Sequence, residues 1–463
     1  MGRDVISPGA GLLEMTTLHF ASALLPSGWA DDVRLKVAGG AIAAVATGVP
    51  PQAGDERHEL AVPGMTNLHS HAFQRAMAGL AETRGEGADT FWTWREAMYR
   101  VALEITPDDV EAVAAFLYME MLEAGFTRVG EFHYLHQDRD GAPYADPAEM
   151  AARIVAAAAA AGIGLTLLPV FYAHATFGGA APHPRQRRFV CSVSQFERLL
   201  AATLRHAAAL PGTNVGVAPH SLRAVTPAEL GDVVALLGRG PVHIHAAEQT
   251  REVEDCVAWS GARPVEWLLE NAGVDRRWCL VHATHMTAAE TAALAASGAV
   301  AGLCPVTEAS LGDGIFPARA FCDAGGAFGV GTDSNVLVGA SGELRQLEWG
   351  QRLSRRERNV LATGPGVSTG RALWDAALAG GSRALGQEGS GLRAGSRADI
   401  VTLDAGHPSL AGRRGDAVLD GLVFAGGAVD CVWAGGSRVV AGGRHMGRDA
   451  ARAKFIAAAA RHL

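Results

Sequence analysis

The sequence predicts a parallel (β/α)8 barrel with a small β-sandwich domain built from both chain ends. Eight short apolar runs alternate with helix-like stretches through the middle of the chain, which is typical of parallel α/β folds. Both ends instead carry short β-like runs separated by Gly, Pro and Asp. In addition, several of the central apolar runs are followed by an ionisable residue.

The composition is that of a folded, slightly acidic protein. Of the 463 residues, 49% are apolar and 19% are charged, and the formal net charge is -8. These values exclude a mostly disordered chain, and they make nucleic acids and anionic membrane surfaces poor partners. The six cysteines form no CxxC pair, which indicates buried thiols in a reducing compartment. Since neither a secretory leader nor a membrane-spanning apolar run is evident, we expect a cytoplasmic protein.

The two chain ends, residues 15–60 and 391–446, predict the β domain. Turn-punctuated runs of this kind are typical of short strands, and they lie at 17–20, 33–37, 41–45, 399–403, 417–424, 429–434 and 438–440. Residues 447–463 are predicted to form a C-terminal helix, and residues 1–14 an N-terminal extension.

Residues 61–390 predict the barrel. Its strands are expected at 60–68, 127–132, 164–171, 215–218, 242–246, 279–282, 299–303 and 327–331. Helices are expected between them, among others at 107–124, 147–161, 194–209, 227–237 and 288–296. Thr226 and Pro227 form a favourable helix start, because a hydroxyl can cap the helix and Pro suits its first position. An open, doubly wound sheet fits this alternation almost as well.

Polar residues at the predicted strand ends favour the barrel, in which such ends meet on one face. His69 and His71 end the first strand two residues apart, so both can face one ion. His245 lies at the end of the fifth strand, His282 at the end of the sixth, and Asp333 follows the eighth. A buried carboxylate is costly unless it is paired or bound to a cation. Three imidazoles and one carboxylate suit Zn²⁺ or Fe²⁺ with one position left for water.

The motifs at 63–71, 245–248, 282 and 332–333 resemble the amidohydrolase superfamily, specifically its deaminase branch. Other branches of the superfamily bridge two metal ions with a lysine after the fourth strand, whereas the only lysines here are Lys36 and Lys454. The resemblance therefore implies one ion per chain, Zn²⁺ or alternatively Fe²⁺, and its ligands would be His69, His71, His245 and Asp333.

The resemblance also implies the catalytic residues. The metal would lower the pKa of a bound water, which then provides hydroxide. Asp333 would accept the proton of this water, and Glu248 would carry a proton to the departing nitrogen. His282 would donate a hydrogen bond to the attacking oxygen.

Within that branch the chain is similar to the family that converts N-formimino-L-glutamate to N-formyl-L-glutamate and ammonia in bacterial histidine breakdown. The similarity lies in residues 71–75, 90–99, 131–136, 218–223 and 304–314. It implies a homodimer and a pocket for a substrate with two carboxylates, lined by Gln74, Arg95, Tyr134, His220 and Arg223. The two arginines suit this substrate, because a guanidinium binds a carboxylate in bidentate geometry.

Two other functions are compatible with the sequence. A related deaminase acting on a guanine or adenosine-type ring would share the metal ligands, but its pocket would favour stacking aromatic residues and amides over two arginines. Trp92 and Trp94 could stack on such a ring, although we expect them to pack as a lid. A non-catalytic scaffold is the second alternative, and the presence of all five metal and acid–base positions on the strand ends argues against it.

Overall fold

The computed structural model describes residues 15–387 and 389–461. The expected extension at residues 1–14 lies outside the described residues. Two sheets organise the chain: a parallel one that forms the barrel, and an outer sheet built from both chain ends. The predicted fold class is confirmed.

The outer sheet combines four strands from each end of the chain, hydrogen-bonded in the order β17-β16-β15-β14-β4-β1-β2-β3. The first four strands are β1 (Thr16–Leu25), β2 (Gly28–Ala38), β3 (Ala41–Ala46) and β4 (Glu56–Pro63). The last four are β14 (Ile400–Leu403), β15 (Val429–Ala434), β16 (Ser437–Ala441) and β17 (Arg444–His445). The central contact is between β4 and β14, which run antiparallel.

The barrel strands all run parallel to their neighbours. They are β5 (Met65–Ser70), β6 (Phe126–His133), β7 (Gly164–Phe171), β8 (Asn214–Val215) with β9 (Ala218–Pro219), β10 (Val242–Ala246), β11 (Trp278–His282), β12 (Val300–Leu303) and β13 (Ala327–Val330). β13 pairs with β5, and isolated parallel bridges from Val217 to Val242 and from Ser221 to His245 join the fourth strand position to the fifth. The strands therefore close into a ring.

Helices cover the outside of the ring and connect its strands. They are α1 (Phe91–Glu104), α2 (Pro107–Glu123), α3 (Glu149–Ala161), α4 (Val193–Ala208), α5 (Pro227–Ala235), α6 (Thr250–Ser260), α7 (Pro264–Asn271), α8 (Ala288–Ser297), α9 (Pro305–Leu311), α10 (Ala318–Asp323), α11 (Ala340–Arg355), α12 (Thr369–Ala384), α13 (Ala417–Phe424) and α14 (Arg448–Ala459), with short 3-10 turns at Ala72–Met77 and Pro184–Gln186. Helix α5 starts as predicted, with the Thr226 hydroxyl accepting the Glu229 N–H. Within the described residues, no helix combines the length and apolarity needed to cross a membrane.

Two local predictions differ from the structure. Residues 417–424, expected to be a strand, form helix α13, whose buried residues include Val418, Leu419 and Leu422. A short, mainly apolar segment cannot be assigned to a buried strand or a buried helix from its periodicity alone, and here packing selects the helix. The run at 60–68 is divided between β4 and β5 at Gly64, where any side chain would clash with Thr127. The first barrel strand therefore starts at Met65.

Candidate active site

The metal-ligand candidates lie together at the carboxyl ends of the barrel strands. His69 belongs to β5, His71 follows it, and His245 belongs to β10. Asp333 lies just beyond β13 with its backbone in the left-handed region, at φ 45°. A side chain on the neighbouring Gly331 would come within 2.7 Å of the His69 backbone. This close approach of the first and last strands brings Asp333 next to the histidines.

The donor atoms of the three histidines lie close together, and the Asp333 carboxylate approaches two of them. His69 Nε2 lies 3.2 Å from His71 Nε2 and 3.0 Å from His245 Nε2. Asp333 Oδ1 lies 3.2 Å from His71 Nε2 and 3.6 Å from His69 Nε2. Donor atoms in a tetrahedral zinc shell lie about 3.4 Å apart. The three histidines are therefore spaced as ligands of a small divalent cation, and Asp333 lies beside His69 and His71 as a candidate fourth ligand.

Hydrogen bonds orient two of the imidazoles for binding a cation. His71 Nδ1 lies 2.9 Å from the Phe132 carbonyl, and His245 Nδ1 lies 3.0 Å from the His220 carbonyl. A carbonyl only accepts, so both Nδ1 atoms carry the proton and both Nε2 lone pairs face His69. Burial lowers the pKa of His71 to about 3 and that of His245 well below its usual value. Neutral imidazoles with converging lone pairs fit a bound cation.

Three acid–base groups, His282, Glu248 and Glu308, adjoin this cluster. His282 Nε2 lies 3.8 Å from Glu248 Oε1 and 3.8 Å from Asp333 Oδ2, while its Nδ1 lies 3.3 Å from Glu308 Oε1. Burial alone would lower the pKa of His282, but the surrounding carboxylates raise it to about 10. Burial raises the pKa of Asp333 to about 7, and it also raises that of Glu248. The site thus combines a charged imidazole with carboxyl groups whose proton affinity is increased.

A cavity of about 470 Å³ opens over these groups. Its lining includes His71, His245, Glu248, His282 and Asp333. All five residues expected to contact substrate line the same cavity, namely Gln74, Arg95, Tyr134, His220 and Arg223. The structure therefore places the predicted pocket residues and three of the four predicted metal ligands, His71, His245 and Asp333, around one space.

Two arginines of the cavity, the buried Arg223 and the half-buried Arg95, have unused hydrogen-bonding capacity. Arg223 is 8% exposed, and its nearest carboxylate, Glu248, is 4.0 Å away. The Nε atoms of Arg95 and Arg223 are buried without a hydrogen-bond partner among the described residues. Gln74 donates to the Tyr134 hydroxyl at 2.7 Å, and its own oxygen is unpartnered within the described chain. Buried groups of this kind indicate a polar ligand, because an unmade buried hydrogen bond is costly.

Comparison with known proteins identifies the family. The family model described as "Amidohydrolase family" matches residues 60–439, and the model "Formimidoylglutamate deiminase HutF, N-terminal domain" matches residues 15–59. The chain belongs to the amidohydrolase family. The family resemblance predicted from the motifs is thus confirmed.

Individual relatives match between three quarters and nearly all of the chain. The formimidoylglutamate deiminase of Pseudomonas aeruginosa is 52% identical over 447 residues, covering 96% of this chain and 98% of that protein. The 5-methylthioadenosine/S-adenosylhomocysteine deaminase of Natronomonas pharaonis is 30% identical and covers 75% of this chain and 74% of that protein. The crystal structure of an amidohydrolase from Brucella melitensis is 58% identical, with a TM-score of 0.95 over 97% of this chain and 100% of that one.

Two residues of this amidohydrolase site were not predicted from the sequence. Glu308 accepts hydrogen bonds from His282 and from the backbone N–H of Cys304, the latter at 2.8 Å. Arg251 lines the cavity with its guanidinium carbon 5.0 Å from the centre of the Trp92 ring. Glu308 lies within residues 304–314, one of the segments that carry the family similarity, but no spacing rule connects it to His282. Only the packing of α9 against β11 shows that contact.

Proposed function

We propose that this chain hydrolyses N-formimino-L-glutamate to N-formyl-L-glutamate and ammonia, in histidine degradation. The relative with 52% identity has the name of this activity, as does the model that matches the N-terminal residues. One observation carries the proposal in the structure: two arginines whose Nε atoms are buried and unpaired among the described residues line the same cavity as His71, His245 and Asp333.

We further propose that His69, His71, His245 and Asp333 hold one zinc ion. The donor set of three imidazoles and one carboxylate, with its spacing of 3.0–3.6 Å along the measured pairs, supports this ion. A bound zinc ion would supply the Lewis acidity that lowers the pKa of a water molecule towards neutrality.

The surrounding residues would move the protons of the reaction. Water adds its oxygen to the formimino carbon, and Asp333 takes the proton that this oxygen loses. His282 donates a hydrogen bond to the same oxygen. Glu248 delivers a proton to the imino nitrogen as the water adds, which gives a carbon that carries OH and NH2. The proton held by Asp333 then reaches the same nitrogen, which leaves as ammonia when the C–N bond breaks, while the hydroxyl proton returns to Glu248 as the formyl C=O forms. The net change is replacement of C=NH by C=O with one water consumed.

Substrate recognition would depend on the two arginines. Each carboxylate of formiminoglutamate would accept hydrogen bonds from one guanidinium, which satisfies the unpaired Nε atoms of Arg95 and Arg223. Gln74 and Tyr134, which are hydrogen-bonded to each other and line the same cavity, would make further polar contacts with the substrate. The homodimer implied by the resemblance stays a prediction, which light scattering of the purified protein tests.

A ring deaminase is the second candidate, because Trp92, Tyr99, Tyr134 and Tyr172 also line the cavity. The Trp92 ring, however, lies under Arg95 at 4.6 Å, as well as near Arg251 at 5.0 Å and Arg223 at 6.0 Å. An indole that stacks on guanidinium groups is occupied by cation–π contacts. This favours an anionic substrate over an aromatic ring.

Release of ammonia tests the proposal. Purified protein should release ammonia from N-formimino-L-glutamate with kcat/KM well above that for its aspartate homologue, guanine, adenosine or 5-methylthioadenosine. Chelation should abolish the activity, and added Zn²⁺ should restore it. Faster turnover of a purine would overturn the substrate assignment, whereas full activity in metal-free protein would overturn the zinc assignment.

A further inference from the structure

A second group of metal-binding side chains lies on the outer sheet. It consists of His58 on β4 together with Asp430 and Cys431 on β15, whose donor atoms all lie within 4.8 Å of one another. His58 Nδ1 is 3.8 Å from Asp430 Oδ2, and Cys431 Sγ is 3.4 Å from the same oxygen. We propose that these three residues form a second zinc site, with a thiolate ligand, separate from the active site of the barrel.

An irregularity in the sheet brings two consecutive residues to one face. Val401 pairs with Val432 and Leu403 pairs with Val429, so Asp430 and Cys431 together stand opposite a single residue, Thr402. Adjacent side chains of a regular strand point to opposite faces, whereas a bulge redirects one of them. The Asp430–Cys431 contact at 3.4 Å shows this redirection. Bulges are frequent beside functional sites.

The histidine is oriented as a ligand. His58 Nε2 lies 3.2 Å from Glu56 Oε1, which leaves Nδ1 directed towards Asp430. Metal-binding histidines commonly donate their other ring N–H to a carboxylate, which fixes the tautomer and makes the ligand more basic. Glu56 is itself paired with Arg438. The carboxylate of Glu56 would therefore support the site without binding the ion.

The proposed site is buried on the side of Cys431 and open to solvent on the side of Asp430. Cys431 is 6% exposed, while the side chain of His58 is 12% exposed and that of Asp430 is 36% exposed. Nitrogen, sulfur and oxygen donors at these separations suit the borderline-soft Zn²⁺, and the exposed side leaves room for a water ligand. Burial and the charge of Asp430 raise the pKa of the Cys431 thiol. A bound cation reverses this effect, and one proton leaves the thiol on binding.

The position of the site suggests a structural consequence. His58 belongs to the part of the sheet contributed before the barrel, and Asp430 and Cys431 to the part contributed after it. An ion held by all three would connect the two parts across the end of β14. Since binding to the folded state alone stabilises that state, Zn²⁺ at this site should make the outer sheet more resistant to unfolding.

Cobalt titration of the full-length protein that carries one equivalent of Zn²⁺, which the four-ligand barrel site should bind first, tests the proposal. Co²⁺ bound to a thiolate gives a near-ultraviolet charge-transfer band, which the all-nitrogen-and-oxygen ligands of the barrel site do not produce. The band should appear with one equivalent of bound Co²⁺, be lost in Cys431→Ser and weaken strongly in His58→Gln. Cys322→Ser, a cysteine on α10 outside both clusters, is the matched control and should keep the band.

Metal content and stability give a second readout. After equilibration with Zn²⁺ and gel filtration, the unaltered protein should hold two zinc ions per chain, and Cys431→Ser and His58→Gln should hold one. Starting from protein that carries one zinc ion per chain, added Zn²⁺ should also raise the Tm of the unaltered protein. The Tm of the folded variants should stay unchanged. Absence of the band in the unaltered protein, its persistence in Cys431→Ser, or a content of one ion in every protein would overturn the second site. Loss of the barrel ion would instead appear as lost ammonia release with the band intact.

Discussion

Replacement of Arg223 by Met tests the basis of substrate recognition. Arg223 is 8% exposed, and its Nε has no hydrogen-bond partner in the described chain. A substrate carboxylate that binds there therefore forms a new hydrogen bond without breaking one within the protein. A hydrogen bond to a charged group contributes about 1.5–3 kcal/mol. At about 1.4 kcal/mol per tenfold change, kcat/KM for formiminoglutamate should fall by about 10- to 150-fold, mainly through KM.

The same substitution removes the positive charge that lies 4.0 Å from Glu248. Burial raises the pKa of Glu248, and the charges of His282 and Arg223 oppose that rise. Without Arg223 the pKa of Glu248 moves further up, and because Glu248 acts as a proton donor, the alkaline limb of the kcat/KM profile should shift to higher pH. Arg223→Lys is the matched control: it should restore the profile while recovering only part of the affinity, because a lysine lacks the planar fork.

Two substrate analogues, each without one of the carboxylates, complete the test. N-formimino-4-aminobutyrate lacks the α-carboxylate, and N-formimino-2-aminobutyrate lacks the distal one. Steady-state ammonia release should show that Arg223→Met impairs one analogue and spares the other. An unchanged KM for formiminoglutamate in the folded variant, or equal impairment of both analogues, would refute a carboxylate contact at Arg223.

Three other substitutions test neighbouring contacts. Glu248→Gln should keep the metal and lose about 10²–10⁴-fold in kcat, because an amide cannot transfer the proton; unchanged kcat at equal metal content would contradict this role. Glu308→Gln removes the charge 3.3 Å from His282 Nδ1 and should lower kcat about 10- to 100-fold with little change in KM, so an effect on KM alone would count against it. Glu131→Gln tests the fold: burial raises the pKa of Glu131 to about 8 against the hydrogen bond from Ala72. Its contribution to stability is full below the ordinary carboxyl pKa and is lost as the pH rises through about 8. Urea unfolding should therefore show that the free energy of unfolding falls less between about pH 5 and pH 8 in the variant than in the unaltered protein. Equal falls in the two proteins would disprove this contribution of Glu131.

Much of the site could be predicted from the sequence because a parallel barrel fixes where strand ends meet. Once 65–70, 242–246 and 327–330 are recognised as strands, His69, His245 and Asp333 must approach the same face. Unpaired charge in a buried position then requires a cation or a partner. Local spacing and fold geometry together were sufficient for this part: in the structure His69 lies 3.0 Å from His245 and 3.6 Å from Asp333, atom to atom, and the latter two residues line one cavity.

Other features depend on contacts between segments distant in the chain. Packing decides that 417–424 is a helix and not a strand. It also decides which carboxylate faces His282 Nδ1 and that His58 lies near Cys431. By itself the sequence determined the barrel, its outer β domain and the residues at its strand ends, because those follow from periodicity and chain direction. The tertiary structure alone decided the partners of Glu308 and Cys431, because side-chain pairing across separate elements has no local signal.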